Sequence, residues 1–362
     1  MAGNASDSGC VSAILTHPRQ PAVTLAAGSR WILGSCVGLA LLLVALPAAA
    51  GVPWAEVWSV VAGVPAADLA ALVALWAVGL LTHTVTLTAA LPRLSHRRAL
   101  TMSLTGSAVA NVLPMGGAAG IAVNYRMARH WGFTGAQFAT YTVVTNAWDV
   151  LAKLALPLVA VPTLALVADA AVGPFLGPSL VVAAGLALAA GLAGVVLARP
   201  AAADLVGGAA ERVLAGALRI VGSTRHVGVR ASLVALQSSC SDVVRTRWVR
   251  LSIGMLLYTA LLFALLWACL TVTDTGLAPA AVLAGFAVER LLTLAGITPG
   301  GAGVVEVGLA GALLALGGSP AGVVAGVVLY RALTFGLEIP VGGLGLAAWV
   351  WARRGDARAA VA

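Results

Sequence analysis

The chain has 362 residues, of which 60% are apolar and only 9% charged, with a formal net charge of +8 and a mean hydropathy of +1.00. A globular domain carries roughly 25% charged residues and needs them to solvate its surface, so a soluble fold is excluded. The positive balance points to a membrane surface rather than to nucleic acid, because the basic residues sit in the connections between long apolar runs.

Those runs come in chain order as Trp31 to Ala50, Leu69 to Leu91, Phe175 to Ala198, Leu251 to Val272 and Ala321 to Val350. Each reaches about the 20 residues a helix needs to cross ~30 Å of hydrocarbon. None alternates like a strand, so helices must satisfy the backbone. Residues 1–29 lack the short apolar core of a cleavable signal and are expected to be a tail. The prediction is an all-α polytopic membrane protein. A single membrane domain spans 30–351, with halves at about 30–168 and 174–351, and residues 352–362 form a second tail. Cys10, Cys36, Cys240 and Cys269 show no pairing or metal-ligand spacing and read as small core residues.

Charge placement gives an orientation. Arg19 and Arg30, then Arg93, Arg97 and Arg98, then Arg126 and Arg129, eight arginines between 199 and 250, and Arg353, Arg354 and Arg358 share one side. Glu56, Asp68, Asp169 and Asp274 occupy the other. The positive-inside rule puts the arginines and both termini in the cytoplasm of an inner, cytoplasmic-type membrane. Trp31, Trp131, Trp248, Trp349 and Trp351 fall at the expected interfaces. Within the Arg-rich connector 199–250, Glu211 to Arg230 has helical apolar spacing and reads as an interfacial amphipathic helix.

Two apolar stretches are interrupted. Leu100 to Gly120 holds Asn111, Pro114, Gly116 and Gly117; Ala280 to Gly317 holds Thr298, Pro299, Gly300, Gly301, Gly303 and Glu306. Proline removes a backbone donor and glycine permits non-helical dihedrals, so both helices should break there. A shift of 185 residues superposes Pro114 on Pro299, Gly116 on Gly301, Gly132 on Gly317, Thr134 on Ser319 and Lys153 on Glu338. With the charge-derived orientation, the first break becomes a hairpin entering from the cytoplasm and the second one entering from outside. The expectation is about six full spans plus two re-entrant helical hairpins in an inverted repeat. Such paired breaks are the best sequence pointer to a central transport site.

Charges inside apolar segments mark the candidate site, since each costs a few kcal/mol in hydrocarbon and should face protein or water. Lys153, the one lysine, lies four residues beyond Asp149, a spacing that allows a pair on one helix face. Glu289 and Arg290 precede the second turn, Glu306 follows it, and Arg331 and Glu338 occupy the last span. Interhelical ion pairing, with Glu306 or Glu289 as the partner of Arg331, is the plain reading of these residues; for Arg331, gripping an anionic headgroup is the functional one. Tyr125 with Arg126, at the mouth of the first hairpin, is an interfacial anchor or a receiver of a lipid phosphate. The histidines are scattered, and no HExxH, GxSxG or P-loop occurs. Neither an enzyme activity nor a metal or cofactor is expected.

The turn from Thr298 to Glu306 followed by Leu329-Tyr330-Arg331 resembles the membrane domain of bacterial lysylphosphatidylglycerol synthases and their stand-alone, flippase-like relatives. Asn111 to Pro114, Tyr125-Arg126 and Trp148-Asp149 resemble the same family's first hairpin. The resemblance implies translocation of an aminoacylated or otherwise modified phospholipid, or of a polyprenyl-linked lipid, with Glu306, Arg331 and Asp149 at the family's charged positions. Two departures stand out. Ala119, Gly120 and Ile121 occupy a place where an acid is common, and Thr145-Asn146 stands for a Glu-Arg pair. The 362 residues hold no aminoacyl-transferase domain, so a separate lipid-modifying enzyme is the expected partner beside the lipids. The alternative is a non-transporting scaffold or accessory subunit of envelope lipid or glycan biosynthesis.

Overall fold

A computed structural model describes residues 36–113, 116–167, 184, 185, 188, 229–295 and 298–359. The tail 1–29, the span 175–198 apart from those three positions, the amphipathic helix expected at 211–230 apart from its last two residues, Pro114 and Cys10 lie outside them.

Among the described residues every element is helical. Helix α1 covers Cys36–Ala50 and α2 covers Trp54–Gly63, bent by 89° from it. Gly51, at φ +67, makes the bend, and Pro53 precedes the new helix, so a short helix occupies what the sequence marked as a plain connection holding Glu56. Helices α3 (Ala66–Ala90) and α7 (Val229–Val272) follow two of the long apolar runs, whereas α6 (Gly135–Val167) is a further long helix, the one that carries Asp149 and Lys153. At 1.5 Å per residue α3 alone reaches about 38 Å, enough to cross a bilayer. Nothing between 229 and 250 breaks a helix, neither glycine nor proline. The end of the Arg-rich connector is therefore the helical beginning of α7.

Both interrupted stretches fold as helix pairs. The first is α4 (His96–Val112) with α5 (Gly116–His130). The second is α8 (Pro279–Ala295), a 3-10 turn at Pro299–Gly301 and α9 (Val304–Ala315). Ser95 caps α4 by accepting the Arg98 backbone N–H at 3.4 Å. Gly317, at φ +90, closes α9, and α10 (Pro320–Arg331) begins with proline at its first turn. A π-helical segment at Ala332–Gly336 joins α10 to α11 (Glu338–Ala359).

Among the described residues, four helices are long and apolar enough to cross a membrane: Ala66–Ala90, Gly135–Leu166, Val234–Val272 and Pro320–Arg353. The bent pair α1–α2 makes up to five. Their outer faces carry Leu81, Leu256 and Leu257, all more than half exposed, as helices facing lipid do. The chain is a multi-pass membrane protein.

Two apolar cores organise the packing, one for each hairpin. Met102, Met127, Phe133, Phe138 and Leu251 close around α4 and α5. Trp76, Leu266, Phe286, Leu309 and Tyr330 close around α8 and α9. Helix α3 runs along α7, α11 along α4, and α8 against α6.

Candidate functional site

The second turn is built from its backbone outward. Thr298 Oγ1 donates to the Ala302 carbonyl at 2.7 Å, and the Gly301 N–H donates to the Thr298 carbonyl at 3.0 Å. Gly300, at φ +60 and ψ +12, is in the left-handed region, which costs other residues about 1–2 kcal/mol, and Gly303, at φ +83 and ψ −52, is in a conformation that glycine adopts and other residues rarely do. The turn is covered by α1, which the sequence did not implicate: a Cβ on Gly303 would stand 2.3 Å from the Gly38 carbonyl oxygen. Only paired glycines permit that backbone approach, and no charge or periodicity in 36–50 announces it.

Glu306 is placed by the turn. It lies in the first turn of α9, and its Oε2 accepts the Gly303 N–H at 2.6 Å, the reach-back of a capping box. Its Oε1 accepts from Arg331 Nε at 2.6 Å. Arg331 Nη2 donates to the Gly300 carbonyl at 3.1 Å, and its guanidinium lies 5.1 Å from the Phe335 ring centroid. Both side chains are buried, at 4% and 10% exposure. One arginine thus ties α10 to a carboxylate and to a turn carbonyl together.

A second pair adjoins it. Arg290 donates through Nε and Nη2 to both oxygens of the fully buried Glu289. Arg290 Nη2 also meets the Tyr330 hydroxyl at 3.2 Å, and Tyr330 is the neighbour of Arg331. The two ion pairs are joined through successive residues of α10. Sequence reading missed Tyr330 and Phe335 as members of this group, because an aromatic in a span is more often core.

The first hairpin reaches this place through Asn111. A Cβ on Gly300 would stand 3.0 Å from Asn111 Oδ1 and 2.3 Å from Phe335 Cε2. The end of α4 therefore touches the second turn, as two converging hairpins require. Gly116 packs tightly back on α4, with its Cβ position 1.7 Å from the Ala110 oxygen, whereas Gly117 faces open space. Pro114 is not described, and the side chain of Pro299 is not either.

The remaining candidates stand apart. Asp149 and Lys153 form the expected pair on α6 at 2.7 Å, with Asp149 41% and Lys153 14% exposed. Glu338 is buried beside Ser107 of α4, separated from Arg331 by the π segment. Tyr125 and Arg126 line a different feature, an open pocket of about 520 Å³ shared with Arg129, His130 and Arg353. Tyr125 lies nine positions beyond Gly116 on α5, or about 14 Å along the axis. The residues nominated together by sequence thus divide into a buried group at the turns, a pair on α6 and a basic pocket.

Known proteins narrow the reading. A family model described as lysylphosphatidylglycerol synthase TM region matches residues 31–342. None of the curated proteins matches the chain.

Proposed function

The chain belongs to the lysylphosphatidylglycerol synthase TM-region family, and from that premise we propose that it translocates a modified phospholipid, such as an aminoacyl-phosphatidylglycerol, or a polyprenyl-linked lipid between leaflets. The observation that carries the proposal is the convergence of the two broken segments: Asn111 lies against Gly300, beside the buried Glu306–Arg331 pair. Broken helices meeting inside a membrane domain leave backbone groups and charges where a headgroup can exchange partners with them.

The inverted repeat belongs to the same proposal. Gly132 and Gly317 both have φ near +90, and α6 and α10 start at Gly135 and Pro320. These positions keep the 185-residue offset that relates Pro114 to Pro299. With arginines inside, the hairpins open toward opposite faces, both termini are cytoplasmic and the membrane is the inner one. No chemistry is assigned to the chain itself; a separate enzyme would supply the modified lipid.

One observation favours the scaffold reading. Glu306, Arg331, Glu289 and Arg290 all find partners within the protein, as residues that only fix packing would. Leaflet-resolved lipid assays in reconstituted vesicles separate the two readings. A translocase redistributes at least one candidate lipid, and Glu306→Ala stops it; a scaffold redistributes none.

A further inference from the structure

The pocket at the far end of α5 has an unusual charge inventory. Its five lining residues include three arginines and no acid: Arg126 and Arg129 from the last turns of α5, and Arg353 from α11, with Tyr125 and His130 beside them. Arginine is charged at every physiological pH and has five N–H donors. Arg126 has neither a hydrogen-bond nor a carboxylate partner among the described residues. Arg129 engages one nitrogen, Nη1, with the Phe133 carbonyl at 2.9 Å, which fixes the side chain and leaves its other donors. Arg353 lies with its guanidinium 4.9 Å from the Trp349 ring centroid, so the ring face is taken and the N–H edge is not.

Three exposed guanidiniums around one opening, two of them held in place, concentrate positive charge that an entering anion offsets. A single phosphodiester has one negative charge; a phosphomonoester or a diphosphate has about two or more. We infer that the pocket formed by Tyr125, Arg126, Arg129 and Arg353 binds a phosphate group with at least two negative charges, a phosphomonoester or diphosphate, in preference to a phosphodiester. The pocket is distinct from the buried Glu306–Arg331 group, and the inference stands whether or not the protein moves lipid. Because α5 begins at the first turn, an occupant here is held at the mouth of that hairpin. The phosphate could belong to a lipid or to a soluble molecule.

The test is equilibrium binding to the full chain in nanodiscs. Phosphatidic acid, a phosphomonoester, is compared with phosphatidylglycerol, a phosphodiester, in a phosphatidylcholine background, and native mass spectrometry of the protein released from the nanodiscs reports occupancy. Phosphatidic acid should bind roughly tenfold more tightly, and Arg126→Gln or Arg353→Gln should each weaken it roughly tenfold, the loss of about one charge-assisted contact. Arg98→Gln removes a cation that stacks on Trp131 at 5.2 Å outside the pocket and should leave binding unchanged. Inorganic pyrophosphate then identifies the source: competition at equal affinity means the phosphate alone is read, and failure to compete means the lipid is required. Equal affinity for the two lipids, or an Arg98→Gln loss as large as that of Arg126→Gln, overturns the inference. Glu306→Gln should bind normally, so failed translocation and failed binding are told apart.

Discussion

Arg331 Nε meets Glu306 Oε1 at 2.6 Å, and in doing so joins the last long span to the glycine turn of the second hairpin. The carboxylate is itself held by the Gly303 N–H, and the guanidinium holds the Gly300 carbonyl. Breaking a buried pair by removing one partner costs about 3–5 kcal/mol, because the other charge is stranded. Glu306→Ala and Arg331→Ala should each lower the thermal midpoint of the detergent-solubilised protein. The double variant should lose much less than the sum of the two. Additive losses would mean that the two side chains act independently.

The turn itself should resist any side chain. A Cβ on Gly300 enters a left-handed conformation and meets Phe335 Cε2 at 2.3 Å. Gly300→Ala should therefore destabilise by about 1–2 kcal/mol from the backbone alone, with steric strain added. Phe335→Ala in the same chain should relieve the steric part and leave the backbone part. Thermal unfolding of the three variants checks this, and a Gly300→Ala protein as stable as wild type would refute it.

Much of this arrangement was legible in the sequence, for physical reasons that vary from residue to residue. Proline and glycine punctuate helices, so both breaks followed from composition; the first hairpin, read as Leu100 to Gly120, instead begins at His96 and runs on through α5 to His130. The Asp149–Lys153 contact followed from helical spacing, since two residues four apart share a face. The partner of Arg331 was open between Glu306 and Glu289, because sequence does not say which carboxylate a rigid turn presents. The placement of Glu306 by the Gly303 N–H decides it. Gly38 against the turn, and Arg353 joining Arg126 and Arg129, could not be read at all. Both depend on contacts between segments hundreds of residues apart, made by residue types common throughout the chain.

The α6 pair separates structural from functional charge. In water such a pair contributes only about 0.3–0.5 kcal/mol, but an unpaired charge within a span costs about 2.5–3.5 kcal/mol on insertion scales. Lys153→Met should reduce the amount of folded protein in the membrane, and Asp149→Asn in the same chain should restore it. The pair contributes to transport only if the restored double variant still fails the vesicle assay. Full activity in that variant assigns it to packing.

The opposed orientation of the hairpins is open to direct chemical test. Arg98 stands at the start of α4, and Ala278 immediately precedes α8; both are exposed. If the halves are inverted, these two mouths open to opposite sides, with Arg98 among the cytoplasmic arginines. In a chain whose four cysteines are replaced by alanine, Ala278→Cys should react with a membrane-impermeant maleimide in intact cells. Arg98→Cys should react only after the membrane is opened. The two substitutions are remote from the buried Glu306–Arg331 pair, so folding is preserved and the labelling reports topology. Reaction of both from the same side would place the two hairpins in the same sense. Asn111 and Gly300 would then meet without linking opposite faces, and alternating access through that contact would fail.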